Sequence, residues 1–556
     1  MNTTFESEIQ RIVALYQKNQ YGQAKQACLS LLPVLDDLEP IYWILFQITS
    51  FQKQYDEAFY YINKLIQFLP TEMVYYSDKA NLYEALGHRQ QAIDTYVNFI
   101  KIRPEHAIAH YNLAILLKKS GKILDALEHY HLALSLNIQE PAEVYVNIGV
   151  IYSELNESKK AKESYLLALG LDYYYIAAWF NLGGLYEELG EKREALECYE
   201  KIIKLEPSNT KAIVRILQAK DDVGLTDSLV TKLESLVMLK SNLTVLDRES
   251  AYYALGKVYN DNRQFESAFE FYRKANELNR IRAVGYDKNK RKDDTINLIS
   301  DIDKSWIIKN SLDVKTSRPL PIFICGMFRS GSTLAGKILC SHPNITSGGE
   351  MNHFYQSIKE SNYNALTNFR DLKKSELNRI RKLYKDKLNA FYPGASKIID
   401  KRPDNFWYLG LIETILPDSK FICTDREPLD ICLSIYFNQF SADVGYGTDL
   451  LDIAHYYVEF RKILLHWQSL IPNSIYVLQY DKLVKSPDTT CREMFEHCGL
   501  DWDSKYLDGG KGNYLIKTAS IWQVRKPLYK TSSKRWINYQ NKVLKAKQYL
   551  DDNLPN

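Results

Sequence analysis

The chain has 556 residues, 46% of them hydrophobic and 25% charged, with a formal net charge of +3. That length exceeds what one compact core usually holds, so several domains are expected. The nearly balanced charge excludes bulk attraction to nucleic acid or to an anionic membrane, so any anion site must be local. Eight cysteines are scattered without C-x-x-C pairs and read as reduced thiols of a cytoplasmic protein. The opening stretch MNTTFESEIQRIVALYQ has no basic region followed by an apolar core, so an amphipathic helix is expected there and not a signal peptide. No apolar run reaches the roughly 18 residues that span a bilayer, and no membrane span is expected.

The first half repeats itself. Alanines recur at Ala24, Ala58, Ala92, Ala126, Ala161 and Ala195, with gaps of 34, 34, 34, 35 and 34 residues. Tyr96, Tyr130, Tyr165 and Tyr199 stand four residues after the later ones, and Ala114, Gly149 and Gly183 stand twelve before three of them. Pro70, Pro104 and Pro207 close several units. The fullest copy is AAWFNLGGLYEELGEKREALECYEKIIKLEP, residues 177–207. This pattern resembles the tetratricopeptide repeat, two antiparallel helices with small residues where they cross closely. About seven units are counted over residues 5–280, the unit at 211–245 being worn. One pair cannot bury its apolar face alone, so an all-α solenoid is expected over 1–280. The stretch LDYYYIAAWF (171–180) is a candidate for exposed aromatic surface.

Residues 281–318 read as a linker with a bridging helix. It opens with the dense charge of YDKNKRKDD, and few contacts are expected to cross 286–294. From 319 to 556 the pattern changes to α/β. PIFIC (321–325), SKIID (396–400), KFICT (420–424) and SIYVLQ (474–479) look like buried parallel strands separated by helices. Ligands of such sheets gather beyond the carboxyl ends of the strands. There the sequence has a glycine loop with Arg329, then Lys401, then Arg426, then Tyr480. Three cations at one sheet edge of a nearly neutral protein indicate an anion site.

The loop GMFRSGST resembles the nucleotide-phosphate motif G-x-x-x-x-G-K-[ST], but Ser332 stands where the lysine belongs and Arg329 lies upstream. GMFRSGSTL is similar to the 5′-phosphosulfate loop of sulfotransferases, and TDREPLDICLSIYF to their 3′-phosphate segment. TASIWQVRKPLYKTSSKRW (518–536) looks like the late donor-binding segment, with Lys526, Pro527 and Trp536 in register. Both halves together resemble bacterial tetratricopeptide-repeat sulfotransferases, whose catalytic half is akin to tyrosylprotein sulfotransferases.

The resemblance implies 3′-phosphoadenosine 5′-phosphosulfate as co-substrate, with no metal. It implies that Arg329, Ser330, Gly331, Ser332 and Thr333 hold the 5′ phosphosulfate. Arg426 and Ser434 would hold the 3′ phosphate, and Tyr480 and Arg535 would also contact the donor. Phe328 and Ser332 depart from the usual proline and threonine, and Arg535 stands where a lysine is usual. Lys401 in DKRP and Glu350 in TSGGEMNHF match the catalytic lysine and glutamate, and Ser520 would help stabilise the leaving oxygen. His353, three residues after Glu350, is a rival base, although a helix-stabilising role suits it better.

The acceptor is expected to be a protein or peptide tyrosine held by the repeat groove. A carbohydrate or small hydroxylated acceptor is the alternative. A non-enzymatic repeat scaffold is disfavoured by the joint presence of Glu350, Lys401, Arg426 and Ser434. A kinase is disfavoured by the missing loop lysine. No nucleic-acid partner is expected, and the oligomeric state is not readable from the sequence.

Overall fold

A computed structural model of the chain describes residues 3–33, 38–239, 243–312, 318–361, 369–508, 522 and 533–555. Sixteen helices run in eight consecutive pairs. They are α1 (Thr3–Gln17) with α2 (Tyr21–Leu31), α3 (Glu39–Phe51) with α4 (Tyr55–Phe68), α5 (Met73–Ala85) with α6 (Arg89–Ile102), and α7 (Ala107–Lys119) with α8 (Ile123–Ser135). Then come α9 (Pro141–Glu154) with α10 (Ser158–Leu171), α11 (Ile176–Leu189) with α12 (Lys192–Leu205), α13 (Thr210–Ala219) with α14 (Ser228–Met238), and α15 (Val245–Asp261) with α16 (Phe265–Arg282). That is one pair more than the approximate seven units counted from sequence, and the worn stretch 211–245 forms a pair like the others.

The periodic residues explain the pairs. Every alanine of the 34-residue period is fully buried. The first helix of most pairs ends on a left-handed residue, such as Asn19, Gly87, Gly121, Asn156 and Gly190, which turns the chain back toward the second helix. Gly183 faces the tyrosine sixteen residues on, so that a β-carbon there would lie 2.8 Å from the Tyr199 ring. The ring lies against the helix at that position, which is why the residue there is small. In LDYYYIAAWF, Tyr173 and Tyr174 are exposed as expected.

The chain divides into two compact units, Met1–Asn181 and Leu182–Asn556. The second contains α12 to α16, the bridging helices α17 (Lys288–Asp301) and α18 (Lys304–Asn310), and a sheet. Five parallel strands, β1 (Leu320–Gly326), β2 (Ile345–Ser347), β3 (Lys397–Lys401), β4 (Lys420–Asp425) and β5 (Ile475–Gln479), take the order β2-β3-β1-β4-β5. The helices between and after them are α19 (Ser332–Leu339), α20 (His353–Glu360), α21 (Lys374–Phe391), α22 (Leu409–Ile415), α23 (Pro428–Tyr436), α24 (Leu450–Leu470), α25 (Tyr480–Lys485), α26 (Pro487–His497) and α27 (Gln540–Asn553). Alternate residues of β1 enter two cores. Phe323 and Cys325 join Phe354, Tyr384, Phe421 and Trp467 on one face, and Ile322 and Ile324 join Leu339, Ile399, Leu478 and Phe495 on the other. A strand buried on both faces reads as a continuous apolar run, as PIFIC does.

The expectation that few contacts cross 286–294 does not hold. Tyr253, Ala268 and Tyr272 of the last repeat pair, and Leu298, Ile302, Trp306 and Ile307 of the bridging helices, belong to the same core as the sheet. The charged helix α17 is docked, with the Arg291 guanidinium 4.7 Å from the Trp407 ring centre. Most of its charges face outward, while Arg291, Thr295 and Leu298 face the core, and the sequence shows only the first of these plainly. A protein starting at residue 308 would uncover Tyr436, Phe437 and Tyr539, which are otherwise buried. Losing the facing aromatic residues removes on the order of 10 kcal/mol of burial, comparable with a domain's net stability. Such a fragment is expected to aggregate, whereas one starting at residue 182 should stay monodisperse by size-exclusion chromatography and keep its circular dichroism.

Candidate active site

The glycine loop runs from the end of β1 to α19. Gly326 has φ +139°, and a β-carbon there would lie 2.4 Å from the Thr424 carbonyl oxygen, so only glycine fits against β4. Arg329 has φ +67° and Gly331 φ +105°. These left-handed residues curl the backbone toward the first turn of α19, where Ser332 and Thr333 sit and where N–H groups face outward to bind anions. The fully buried Ser330 hydroxyl instead braces the loop, contacting the Met327 carbonyl at 2.6 Å and the Thr424 hydroxyl at 2.6 Å. It therefore supports the loop through its side chain and can offer a ligand only its backbone.

Arg329, Ser434, Arg426 and Tyr480 converge. Arg329 Nε donates to Ser434 Oγ at 3.0 Å, and Arg426 Nη1 approaches the Arg329 carbonyl at 3.4 Å. The Arg426 guanidinium, 8% exposed, lies 4.9 Å from the Tyr480 ring centre. The same ring lies against Gly331, whose added β-carbon would meet it at 2.7 Å. Asp430 lies 3.8 Å from Arg426 and accepts the backbone N–H groups of Lys534 at 2.6 Å and Trp536 at 3.1 Å. Arg535 is thereby held beside the first turn of α23, and its charge acts on Tyr272 and Tyr539. Ser520, Lys526 and Pro527 lie outside the described residues.

Lys401 and Glu350 meet at the other end of the site. Lys401 pairs with Ile324 of β1 in the parallel register. Beyond β2 the ladder continues, with Gly348 N–H donating to the Ile399 carbonyl and Lys401 N–H to the Gly349 carbonyl, each at 3.0 Å. This extension carries Glu350 to Lys401, whose ammonium donates to Glu350 Oε1 in an ion pair. The Lys401 side chain is 1% exposed and that of Glu350 38%. Burial pushes the lysine pKa below its ordinary value, and the adjacent carboxylate opposes this. A buried ammonium of this kind needs an anion beside it. His353 stacks on Phe391 with ring centres 4.8 Å apart, and burial lowers its pKa.

Several supporting residues carry no signal of their own in sequence. Asp425 accepts from Arg461 at 2.6 Å, from the Tyr457 hydroxyl at 2.9 Å, and from the N–H of Arg426 at 2.9 Å, so it fixes the turn that presents that arginine. Asp425 and Asp430 flank Arg426 in TDREPLD, and only the fold distinguishes them from surface acids. Arg402 forms an ion pair with Asp404, bonds to Asn352 and lies 5.6 Å from the Tyr355 ring centre, lining the outer side of Glu350's turn.

Comparisons with known proteins find relatives of both halves of the chain. Residues 321–504 match the model of the sulfotransferase family. Tetratricopeptide-repeat models match residues 77–141, 142–175, 176–209 and 249–281. The chain carries a sulfotransferase-family domain together with tetratricopeptide repeats. It is 29% identical over 380 residues to an uncharacterized protein of Aquifex aeolicus, covering 63% of this chain and 47% of that protein. It is 22% identical over 147 residues to the TPR repeat-containing protein MJ1428 of Methanocaldococcus jannaschii, covering 26% of each. The chain thus spans about half the length of the first relative and a quarter of the second. Among solved structures, Pseudomonas aeruginosa pilF matches 38% of this chain and 95% of its own, at 15% identity and a TM-score of 0.31. No helix among the described residues is long and apolar enough to cross a membrane.

Asp400, next to Lys401, offers a test of the site's framework. It is fully buried, accepting from the Tyr384 hydroxyl and from Asn405 Nδ2, each at 3.0 Å. Burial raises its pKa from 3.8 to about 7, while the hydrogen bonds and the Arg402 charge oppose the rise. Because the folded pKa is the higher one, its stabilising contribution is full below about pH 4 and is lost as pH rises through 7. The loss amounts to at most about 4 kcal/mol. An Asp400→Asn variant offers an oxygen to Asn405 and an N–H to Tyr384 without ionising. Its melting temperature is expected to change less than the wild type's between pH 5 and 9, and to match or exceed it at pH 9.

Proposed function

We propose that the protein transfers a sulfuryl group from 3′-phosphoadenosine 5′-phosphosulfate to a hydroxyl acceptor, a tyrosine of a protein or peptide. The observation that carries this reading is the Glu350–Lys401 pair standing one strand away from an anion loop that lacks the kinase lysine. The donor set fits the co-substrate. Helix N–H groups, Arg329 and the hydroxyls of Ser332 and Thr333 suit a phosphosulfate, while Arg426 on Tyr480, with Ser434, suits a second phosphate. When bound, the co-substrate supplies the group transferred.

Within this reading, Glu350 takes the proton of the acceptor hydroxyl at its carboxylate. Lys401 balances charge on the leaving oxygen, and the loop and arginines hold the oxyanions in place, as positioning and electrostatics do in phosphoryl transfer. Ser520 adds a hydroxyl to the leaving-oxygen side, and Arg535 a cation near α23. The stacking of His353 on Phe391 favours Glu350 as the base. The repeats deliver the acceptor, and reduced cysteines suit a cytoplasmic setting. Carbohydrate or small-molecule acceptors remain the second reading, because the donor residues would serve either.

Glu350→Gln should lower turnover by roughly 10²- to 10⁴-fold, the usual contribution of a general base. Affinity for adenosine 3′,5′-bisphosphate should hold. Because Lys401 loses its counter-charge, melting temperature is measured alongside, and a variant that melts early with full turnover would reduce Glu350 to an ion-pair partner. Arg426→Ala should weaken adenosine 3′,5′-bisphosphate by about 10-fold or more, the scale of a charge-assisted contact, and spare nucleotides without the 3′ phosphate. Calorimetry with both nucleotides checks this, and an equal loss for both removes Arg426 from the 3′-phosphate role.

A further inference from the structure

The last repeat pair grips the segment that follows α23. Glu249 of α15, fully buried, collects four hydrogen bonds, from Arg282 Nε at 2.7 Å and Nη2 at 2.8 Å, from Asn279 at 2.9 Å and from Gln439 at 3.0 Å. Ser250 donates to the Gln439 side-chain Oε1 at 2.9 Å. The same hairpin and the residues just after it bond to backbone oxygens along the segment. Asn276 reaches the Tyr436 carbonyl at 2.8 Å, Arg282 the Phe440 carbonyl at 2.9 Å, and the Val284 N–H the Ala442 carbonyl at 2.9 Å. Tyr272 stacks on Phe437 with ring centres 4.0 Å apart. Gly445 completes the fit, since a β-carbon there would lie 1.8 Å from the Val284 carbonyl oxygen.

This segment touches the anion loop by two routes. It starts three residues after Ser434, which accepts from Arg329. Its Phe440 ring packs on Phe328 of the loop, with centres 5.1 Å apart, one residue before the left-handed Arg329. Both routes end on Arg329.

We infer that the α15–α16 hairpin holds the anion loop in its binding conformation, with Glu249, Gln439 and Phe440 as positioning residues acting on Arg329. The donor identity rests on the reading above, but the mechanical link does not. A buried carboxylate with four donors fixes its neighbours strongly, because moving any of them leaves a charge underpaired. The hairpin thus does more than cap the solenoid. It makes the α15–α16 hairpin a structural input to the donor site, so a change in the hairpin's packing can alter donor affinity through this contact.

Gln439→Leu removes one donor to Glu249 and leaves the Arg282 pair intact, while Phe440→Ala removes the ring that packs on Phe328 and keeps the backbone carbonyl that Arg282 reaches. In the full-length chain, hydrogen exchange of the amides at 327–333 is expected to quicken by roughly 2- to 30-fold in each, the range for changes within a coupling network. Phe440→Tyr should restore wild-type exchange, which a general loss of stability would not. Binding of adenosine 3′,5′-bisphosphate should weaken by a comparable factor in Phe440→Ala, with a melting temperature close to wild type. Unchanged loop exchange in Gln439→Leu overturns the hairpin's role, and unchanged exchange in Phe440→Ala overturns the route through Phe328. Quickened exchange in both, in a wild type that binds no bisphosphate, upholds the link and sinks the donor reading instead.

Discussion

The site rests on the hydrogen-bonded register of β1 between β3 and β4. Parallel pairing puts Ile324 opposite Lys401 and Gly326 opposite Thr424, so turns 75 to 100 residues apart in sequence open at one sheet edge. The closeness of β4 leaves room only for glycine at 326. The ladder also continues past β2 through Gly348 and Gly349, which delivers Glu350 to Lys401. A slip of one residue of β3 against β1 would turn Lys401 to the other face and separate it from Glu350.

Electrostatics then shape what this edge can do. The protein as a whole is nearly neutral, yet Lys401 and Arg426 are both nearly excluded from water. Each has a carboxylate nearby, Glu350 in direct contact and Asp430 at 3.8 Å. Buried charges persist only with such partners. An incoming oxyanion can share or replace these carboxylates without stranding a cation, which makes the arrangement suited to binding and releasing an anionic ligand repeatedly.

The repeats and the sheet are joined more closely than their sequence classes suggest. A solenoid must end on a surface that covers its last apolar face. Here α15 and α16 end against α23, the segment after it and the stretch leading into α27, through Phe269, Tyr272, Tyr436, Phe437 and Tyr539. One aromatic cluster both caps the array and completes the core around the sheet, so neither part is finished without the other in this half of the chain.

The 34-residue alanine period, the tyrosines four residues later and the small residues before them were enough to predict helix pairs, because close helix crossings tolerate few side chains. The apolar runs of β1, β3, β4 and β5 were equally legible, the first three as strands buried on both faces must be. The loop, Lys401, Arg426 and Tyr480 could be placed together because parallel strands bring their carboxyl ends to one edge. What sequence left open depended on contacts between distant elements. The docking of α17, the bracing of Arg426 by Asp425 and Asp430, the inward turn of the Ser330 hydroxyl and the grip of Glu249 on Gln439 follow no local period. A charged helix, a pair of aspartates and a serine look alike whether solvated or buried, and tertiary packing alone decided which they are, since burial changes the energy of a charge far more than it changes the local preference of the residue that carries it.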